Sequence, residues 1–390
     1  MTVREGSPAT RRGAGHAGKV TVALVCKYAP EGIGGIQNHL DMLLRHVQAP
    51  DCCYVFVTGT GEAGRSAGAR AYLRFVQRLT RCRGEVAHFH GFDRLQLLTL
   101  MLFARRRIPL VVTPHNGVAA IVNDRKALRR LVKRWADGLL FPALIRQRAR
   151  IVALSEEERD YYLARFPGCG DLVEVLPNPI GAHGWAPLLA APAAVRLLAL
   201  ARLDPWKHIE DLVSAMALLP AAVECDIAGP DCGAAAALQD QARQVARTIR
   251  FHGAVRGAQK EQLFEDAAIV VVSSHAEGLS TVALEALARG IPVVASDCAA
   301  RGLPAEGVYR YPFRSVPDLV RTIEHLLEGE NLLLARHAAR RASASLVGYD
   351  DYAEALRSLY RSSVDRKRNG ITPRGARYRW RLRPSPRDRQ

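Results

Sequence analysis

The stretch Glu277-Gly278-Leu279-Ser280-Thr281-Val282-Ala283-Leu284-Glu285-Ala286-Leu287-Ala288-Arg289-Gly290 lies between two apolar runs, 269–272 and 291–295. An apolar run, a small-residue loop, a helical stretch closed by glycine and a second apolar run predict strand, loop, helix, strand. A loop of Gly278, Leu279 and Ser280 opening onto a helix N-terminus gathers backbone N–H groups and the positive end of the helix dipole, which together can hold a phosphate. Glu277 and Glu285 bracket that loop. Carboxylates repel a phosphate but accept hydrogen bonds from sugar hydroxyls on either side of it. The segment therefore outlines a site for a nucleotide sugar.

The same alternation runs through the chain. Apolar strands are predicted at 20–26, 53–57, 86–89, 110–113 and 151–154, with helices at 36–47, 96–105 and 126–134. Prolines, Gly181 and Gly184 then oppose regular structure across 177–192. The alternation restarts with a strand at 195–200, a helix at 209–219, a strand at 223–228, a helix at 234–245, a short strand ending at His252-Gly253 and a helix at 260–266. Helices at 314–327 and 351–361 close it. Repeated βα units predict an α/β protein of two Rossmann-like parallel sheets, with ligands at the carboxyl ends of the strands. A chain of 390 residues, nearly half apolar, can bury two such cores.

The formal charge of +17 is unevenly spread. From Arg361 onward the chain is arginine-dense and broken by prolines, which predicts a disordered tail. A second cluster, Arg125, Lys126, Arg129, Arg130, Lys133 and Arg134, is interleaved with Leu128, Leu131, Val132 and Trp135 at helical spacing. Tail and helix together predict attraction to an anionic membrane surface, at up to ~1 kcal/mol per well-placed cation. No nucleic-acid reading module accompanies the charge, so nucleic acid is not an expected partner. No apolar run approaches the ~20 residues that cross a bilayer, and the polar residues 1–18 lack the apolar core of a secretory signal. The expectation is a cytoplasmic protein, peripheral at the inner membrane face. The eight cysteines have no Cys-x-x-Cys pair, so reduced thiols rather than a zinc site are expected.

The paired glutamates, with Leu284-Glu285-Ala286, Gly290 and Pro292-Val293-Val294-Ala295-Ser296 following, closely resemble the signature of family 4-type retaining glycosyltransferases, which have two facing Rossmann-like domains (the GT-B architecture). Further resemblances occur in the right order. Gly34-Gly35-Ile36-Gln37-Asn38-His39-Leu40 is similar to the family's N-terminal glycine loop, and Val112-Thr113-Pro114-His115-Asn116 to the strand end bearing an active-site histidine. Val175-Leu176-Pro177-Asn178-Pro179 resembles the interdomain hinge, and Leu200-Ala201-Arg202-Leu203-Asp204-Pro205-Trp206-Lys207-His208 the arginine-to-lysine loop. The resemblance implies a first domain at 19–180, a donor-binding second domain at 193–345, a helix at 346–362 crossing back to the first domain, and a basic tail at 363–390. It departs from the family pattern at Asp297-Cys298-Ala299-Ala300-Arg301-Gly302-Leu303, where a glycine pair and a glutamate are usual, and at Ser273, where proline is common.

As a donor's glycosidic bond breaks, negative charge builds on the diphosphate, and an enzyme without a metal must meet it with cations and N–H dipoles. No Asp-x-Asp metal motif occurs in the chain. Arg202 and Lys207, one a planar fork and one a point charge, are the candidate cations. Gly278, Leu279 and Ser280 would offer N–H groups to the distal phosphate. The resemblance implies that Glu277 and His115 contact the transferred sugar, that Glu285 accepts from the ribose, and that Gly34 and Gly35 line the cleft. His39, His88 and His90 show no ligand cluster by spacing, and neither metal nor cofactor is expected beyond the nucleotide-diphosphate sugar as co-substrate. The acceptor expected is a glycan or lipid-linked saccharide of surface polysaccharide or glycolipid synthesis. A non-hydrolysing nucleotide-sugar epimerase and a catalytically silent scaffold subunit are the alternatives.

Overall fold

A computed structural model of the protein describes residues 20–26, 35–47, 52–58, 77, 84–91, 108–115, 141–166, 168–181 and 195–368. Two six-stranded sheets, wholly parallel, organise them. The first contains β1 (Val20–Cys26), β2 (Cys52–Thr58), β3 (Val86–His90), β4 (Leu110–Thr113), β5 (Arg150–Ala153) and β6 (Val173–Val175), in the order β2-β1-β3-β4-β5-β6. The second contains β7 (Val195–Leu200), β8 (Val223–Ala228), β9 (Ile249–Phe251), β10 (Ile269–Val272), β11 (Val293–Ser296) and β12 (Val308–Tyr311), in the order β12-β11-β10-β7-β8-β9. β3, β4, β5, β10 and β11 are buried along their whole length. A parallel sheet covered on both faces leaves no polar face to alternate with, which is why these strands read as largely apolar runs, His88 and His90 of β3 being the main exceptions. The α/β fold of two Rossmann-like sheets is borne out.

Among the helices, α1 (Gly35–Arg45) follows β1 and α2 (Glu156–Arg165) follows β5. In the second half come α3 (Ile209–Met216), α4 (Ala235–Gln244), α5 (Gly257–Asp266), α6 (Thr281–Ala288), α7 (Val316–Leu327), α8 (Asn331–Ser343) and α9 (Tyr349–Arg368). The expected return of the last helix is observed. Tyr352, Leu356, Leu359, Tyr360 and Val364 bury a stripe at helical spacing against Val22, Leu24, Val86 and Val111 of the first sheet. The helix is longer than expected: residues 363–368, allotted above to the basic tail, continue it, with Ser363 and Val364 buried. Helices predicted at 96–105 and 126–134, and the tail from 369, lie outside the described residues.

Two helices had no sequence expectation. α2 carries a capping box: Ser155 Oγ accepts from Glu158 N at 3.2 Å and Glu158 Oε2 accepts from Leu154 N at 2.7 Å. α8 buries mainly Ala335, Ala339 and Ala342, side chains too small to write a hydrophobic period. Of the cysteines, Cys26, Cys169 and Cys225 are buried, Cys52 and Cys298 half-buried and Cys232 exposed, all as free thiols.

The loops at the carboxyl ends of β7 and β8 meet at a glycine. Gly229 has φ 147°, and a Cβ there would lie 1.7 Å from the carbonyl oxygen of Ala201, immediately before Arg202. Backbone cannot yield as a flexible side chain can. Gly229→Ala is expected to lower stability by at least ~2 kcal/mol, measured as the urea unfolding free energy; a loss below 0.5 kcal/mol would show that the two loops are free to separate.

Candidate functional site

β7 and β10 are neighbours, so their carboxyl ends place the arginine-to-lysine loop beside the glutamate loop. Asp204 caps a single 3₁₀ turn, Pro205–Lys207, accepting from Trp206 N at 2.9 Å, and its other oxygen pairs with Arg202 Nη2 at 3.0 Å. Two bonds stitch the loops together: Ser273 Oγ donates to the Lys207 carbonyl at 2.8 Å, and His275 N donates to the Trp206 carbonyl at 2.9 Å. The serine standing where proline is common thus anchors the lysine loop. Lys207 Nζ then reaches Glu277 Oε1 at 2.6 Å, with both side chains less than a fifth exposed.

Ser280 caps α6, its hydroxyl accepting from Ala283 N at 3.4 Å, so its side chain is committed to the helix. The first N–H groups of α6 have no backbone partner within the helix, and that of Ala283 is met by Ser280. One turn further, Glu285 Oε1 accepts from Lys260 Nζ of α5 at 2.7 Å. Lys260 carried no sequence signal of its own, since α5 matches no motif. Arg289 fixes this face of the pair, bonding Glu261 and the Glu285 carbonyl while its guanidinium lies over Phe264.

The first sheet contributes histidines. Gly35 begins α1 with open space where a side chain would go, while Gly34 lies outside the described residues. His115 follows β4, buried, with a left-handed backbone at φ 59°. The expectation that His39, His88 and His90 form no cluster is corrected here. All three are buried around His115, because α1, β3 and β4 are adjacent in space though distant in sequence. His90 Nδ1 lies 3.0 Å from His115 Nε2. His88 contacts Tyr360 OH through Nδ1 and Thr113 Oγ1 through Nε2, both at 2.7 Å, and His39 Nε2 lies 3.3 Å from Tyr352 OH. Ligand atoms of His39, His90 and His115 lie within 4.8 Å of one another. A tetrahedral zinc ion with bonds near 2.0–2.1 Å needs nitrogens about 3.3 Å apart, so a metal would require these rings to close in.

Asn178 joins the two groups. Its Nδ2 donates to the Leu279 carbonyl of the phosphate-type loop at 3.3 Å, and its side chain lies against His39. A second approach between the two halves is made by Gly302, at φ 74°, where a Cβ would sit 2.7 Å from Ser155 Cβ. The segment that departs from the family pattern thus lies against the start of α2.

Burial holds the histidines uncharged. It lowers His39 to about 4, partly opposed by Asn178, and lowers His88 to about 3 with help from His39. His90 and His115 are pushed well below the ordinary histidine value by burial and then by the neighbouring rings.

Residues 33–183 match the family model of Glycosyltransferase Family 4, and residues 194–329 match that of Glycosyl transferases group 1. No curated protein matches the chain by sequence. Solved structures share its fold. A sucrose-phosphate synthase from Thermosynechococcus elongatus superposes with a TM-score of 0.71 at 19% identity, over 88% of this chain and 99% of that one. Anabaena HepE in complex with UDP gives 0.68 at 16%, over 88% and 100%. The lipopolysaccharide outer core galactosyltransferase WaaB gives 0.62 at 15%, over 88% and 99%.

The histidine group has a consequence for acid stability. Below about pH 6.5 the unfolded chain protonates these rings and the folded chain does not, so stability is full above that value and falls as pH drops toward the depressed native values. The four rings together are expected to cost roughly 5 kcal/mol between pH 7.5 and 5.5. Urea unfolding across that range measures it, and a pH-independent unfolding free energy would rule out buried neutral rings.

Proposed function

Since the chain is a family 4-type glycosyltransferase of the two-domain GT-B architecture, we propose that it is a retaining, metal-independent hexosyltransferase that moves a sugar from a nucleoside-diphosphate donor to a glycan or lipid-linked acceptor. The observation that carries this reading is the Lys207–Glu277 pair beside the N-terminus of α6. An incoming diphosphate competes for Lys207, and as the lysine turns to it, Glu277 becomes available to sugar hydroxyls. Arg202, exposed at the same strand end, adds the second cation. Glu285, paired with Lys260, would accept from the ribose. The bound UDP of HepE makes UDP-sugars the first donors to try.

Once Lys207 has turned to the diphosphate, Glu277 is given to sugar hydroxyls as a hydrogen-bond acceptor, a role that competes with forming a sugar–enzyme bond. A same-face displacement fits better. The acceptor hydroxyl oxygen bonds to the anomeric carbon as the bond from that carbon to the diphosphate oxygen breaks, and the acceptor's proton passes to the departing phosphate. Charge building on that phosphate is met by Arg202, Lys207 and the N–H groups of the loop, which hold it most tightly at the transition state. Among the described residues no helix is long and apolar enough to cross a membrane. The basic residues of 125–134 and 369–390 favour an acceptor carried at an anionic membrane face.

With a panel of nucleotide sugars, Lys207→Ala is expected to cost at least ~2 kcal/mol in kcat/KM for the donor that the native enzyme hydrolyses or transfers, while a chelator leaves the native rate unchanged. Near-normal turnover of the variant would reject the lysine's role, and lasting silence of the native protein toward every donor would favour the scaffold reading. Deleting residues 369–390 is expected to weaken co-sedimentation with vesicles containing anionic lipid, and to do so less at high salt, where the native protein is also released. Unchanged pelleting at low salt would remove the tail from the membrane proposal.

A further inference from the structure

Contact with a sugar explains one histidine at the carboxyl end of β4, yet four are buried together there. Their arrangement follows from strand geometry. Residues two apart on a strand face the same way, so His88 and His90 of β3 share one face, and their rings lie 4.0 Å apart. Register sets His90 opposite Thr113 of β4, two residues before His115. α1 brings His39, whose ring meets that of His115 edge-on at 4.7 Å, and α9 brings Tyr352 and Tyr360.

A neutral imidazole carries one N–H and one lone pair. Two ring nitrogens 3.0 Å apart therefore need one proton between them, donated by one ring and accepted by the other. Whichever role His115 Nε2 takes toward His90, its Nδ1 takes the opposite one. The left-handed backbone of His115 is disfavoured for a non-glycine residue, and a bond holding its ring helps to retain that conformation. We propose that His90 is a positioning residue, which through its Nδ1 fixes both the orientation and the tautomer of His115. This rests on the reading of His115 as a contact to the transferred sugar.

The rest of the array keeps that proton in place. The titratable groups facing the pair are His39 from α1, His88 from β3, and Tyr352 and Tyr360 from α9; Thr113 and Asn178 supply neutral polar contacts. Tyr360 and Thr113 occupy both nitrogens of His88, which leaves that ring one orientation beneath His90. Every neighbouring ring raises the cost of charging another, so the array responds to its surroundings by tautomer rather than by charge. Asn178 connects it to the Leu279 carbonyl, and thus to the loop assigned to the donor phosphate.

The test uses full-length protein labelled with ¹⁵N-histidine and long-range ¹H–¹⁵N NMR of the imidazoles. His90 and His115 are expected each to show a single neutral tautomer, one bearing the shared proton, unchanged from pH 8 to 5.5. In His90→Ala, His115 should show mixed tautomers and titrate nearer the ordinary histidine range of about 6.5. Donor turnover should fall at least tenfold in kcat and gain an acid limb, with UDP affinity unchanged. His90→Asn, whose amide can replace Nδ1, should recover turnover to within threefold of native. An unaltered His115 tautomer in His90→Ala, equal losses in the Ala and Asn variants, or a stoichiometric metal ion on these rings in the purified protein would overturn the proposal. Should His90→Ala not fold, mixed tautomers at His90 and His115 in the native protein would overturn it equally. His115→Ala with native turnover would instead reject the sugar contact, while the tautomer spectra would still decide whether His90 positions the ring.

Discussion

Lys207 and Glu277 carry opposite charges on separate loops, and the second half of the molecule is arranged so that they meet. Their contact depends on β7 and β10 being neighbours in a parallel sheet, which puts both loops at one edge. It depends next on the Ser273 hydroxyl holding the Lys207 carbonyl, and on Gly229 letting the β8 loop lie against Ala201. A partly buried pair of this kind is held by geometry as much as by charge, because desolvation offsets much of the Coulombic gain. Two charges kept together but weakly stabilised can be parted by a ligand that offers each a better partner. A phosphate ester of a sugar offers both at once.

The first half works differently. What it brings together is a set of buried neutral rings rather than a set of charges. Burial alone would disfavour charge on any one of His39, His88, His90 and His115, and their proximity makes charging two of them worse. In the proposed reading the cations of one half are thus complemented by neutral, hydrogen-bonded rings in the other. Such a division suits a reaction in which negative charge grows on the phosphate side while the sugar needs orienting contacts rather than a strong base.

Most of the fold could be read from the chain because parallel strands buried on both faces leave apolar runs with glycine and proline between them. β7 and β8 match their predicted limits, and the glutamate segment folds as strand, loop and capped helix. What escaped is what tertiary neighbours supply. The histidines of α1, β3 and β4 meet through sheet order, which spacing along the chain does not express. Lys260 meets Glu285 only because α5 packs beside α6. α8 is buried through alanines, so its period is faint, whereas α2 was missed although Ser155-Glu156-Glu157-Glu158 has the spacing of a capping box.

The hinge segment carries more than flexibility. Leu176 is packed in the core of the first half, and two residues later Asn178 donates to a loop of the second. Ile180 joins the core of the second half, and its N–H donates to the Val347 carbonyl, just before α9 returns to the first. The outgoing and returning chains therefore run side by side, with Gly181 against the ring of Tyr349 and Asn178 bonded to the Leu279 carbonyl. The histidine group and the Leu279 loop are thus linked through Asn178, a residue of the segment that passes between the two halves.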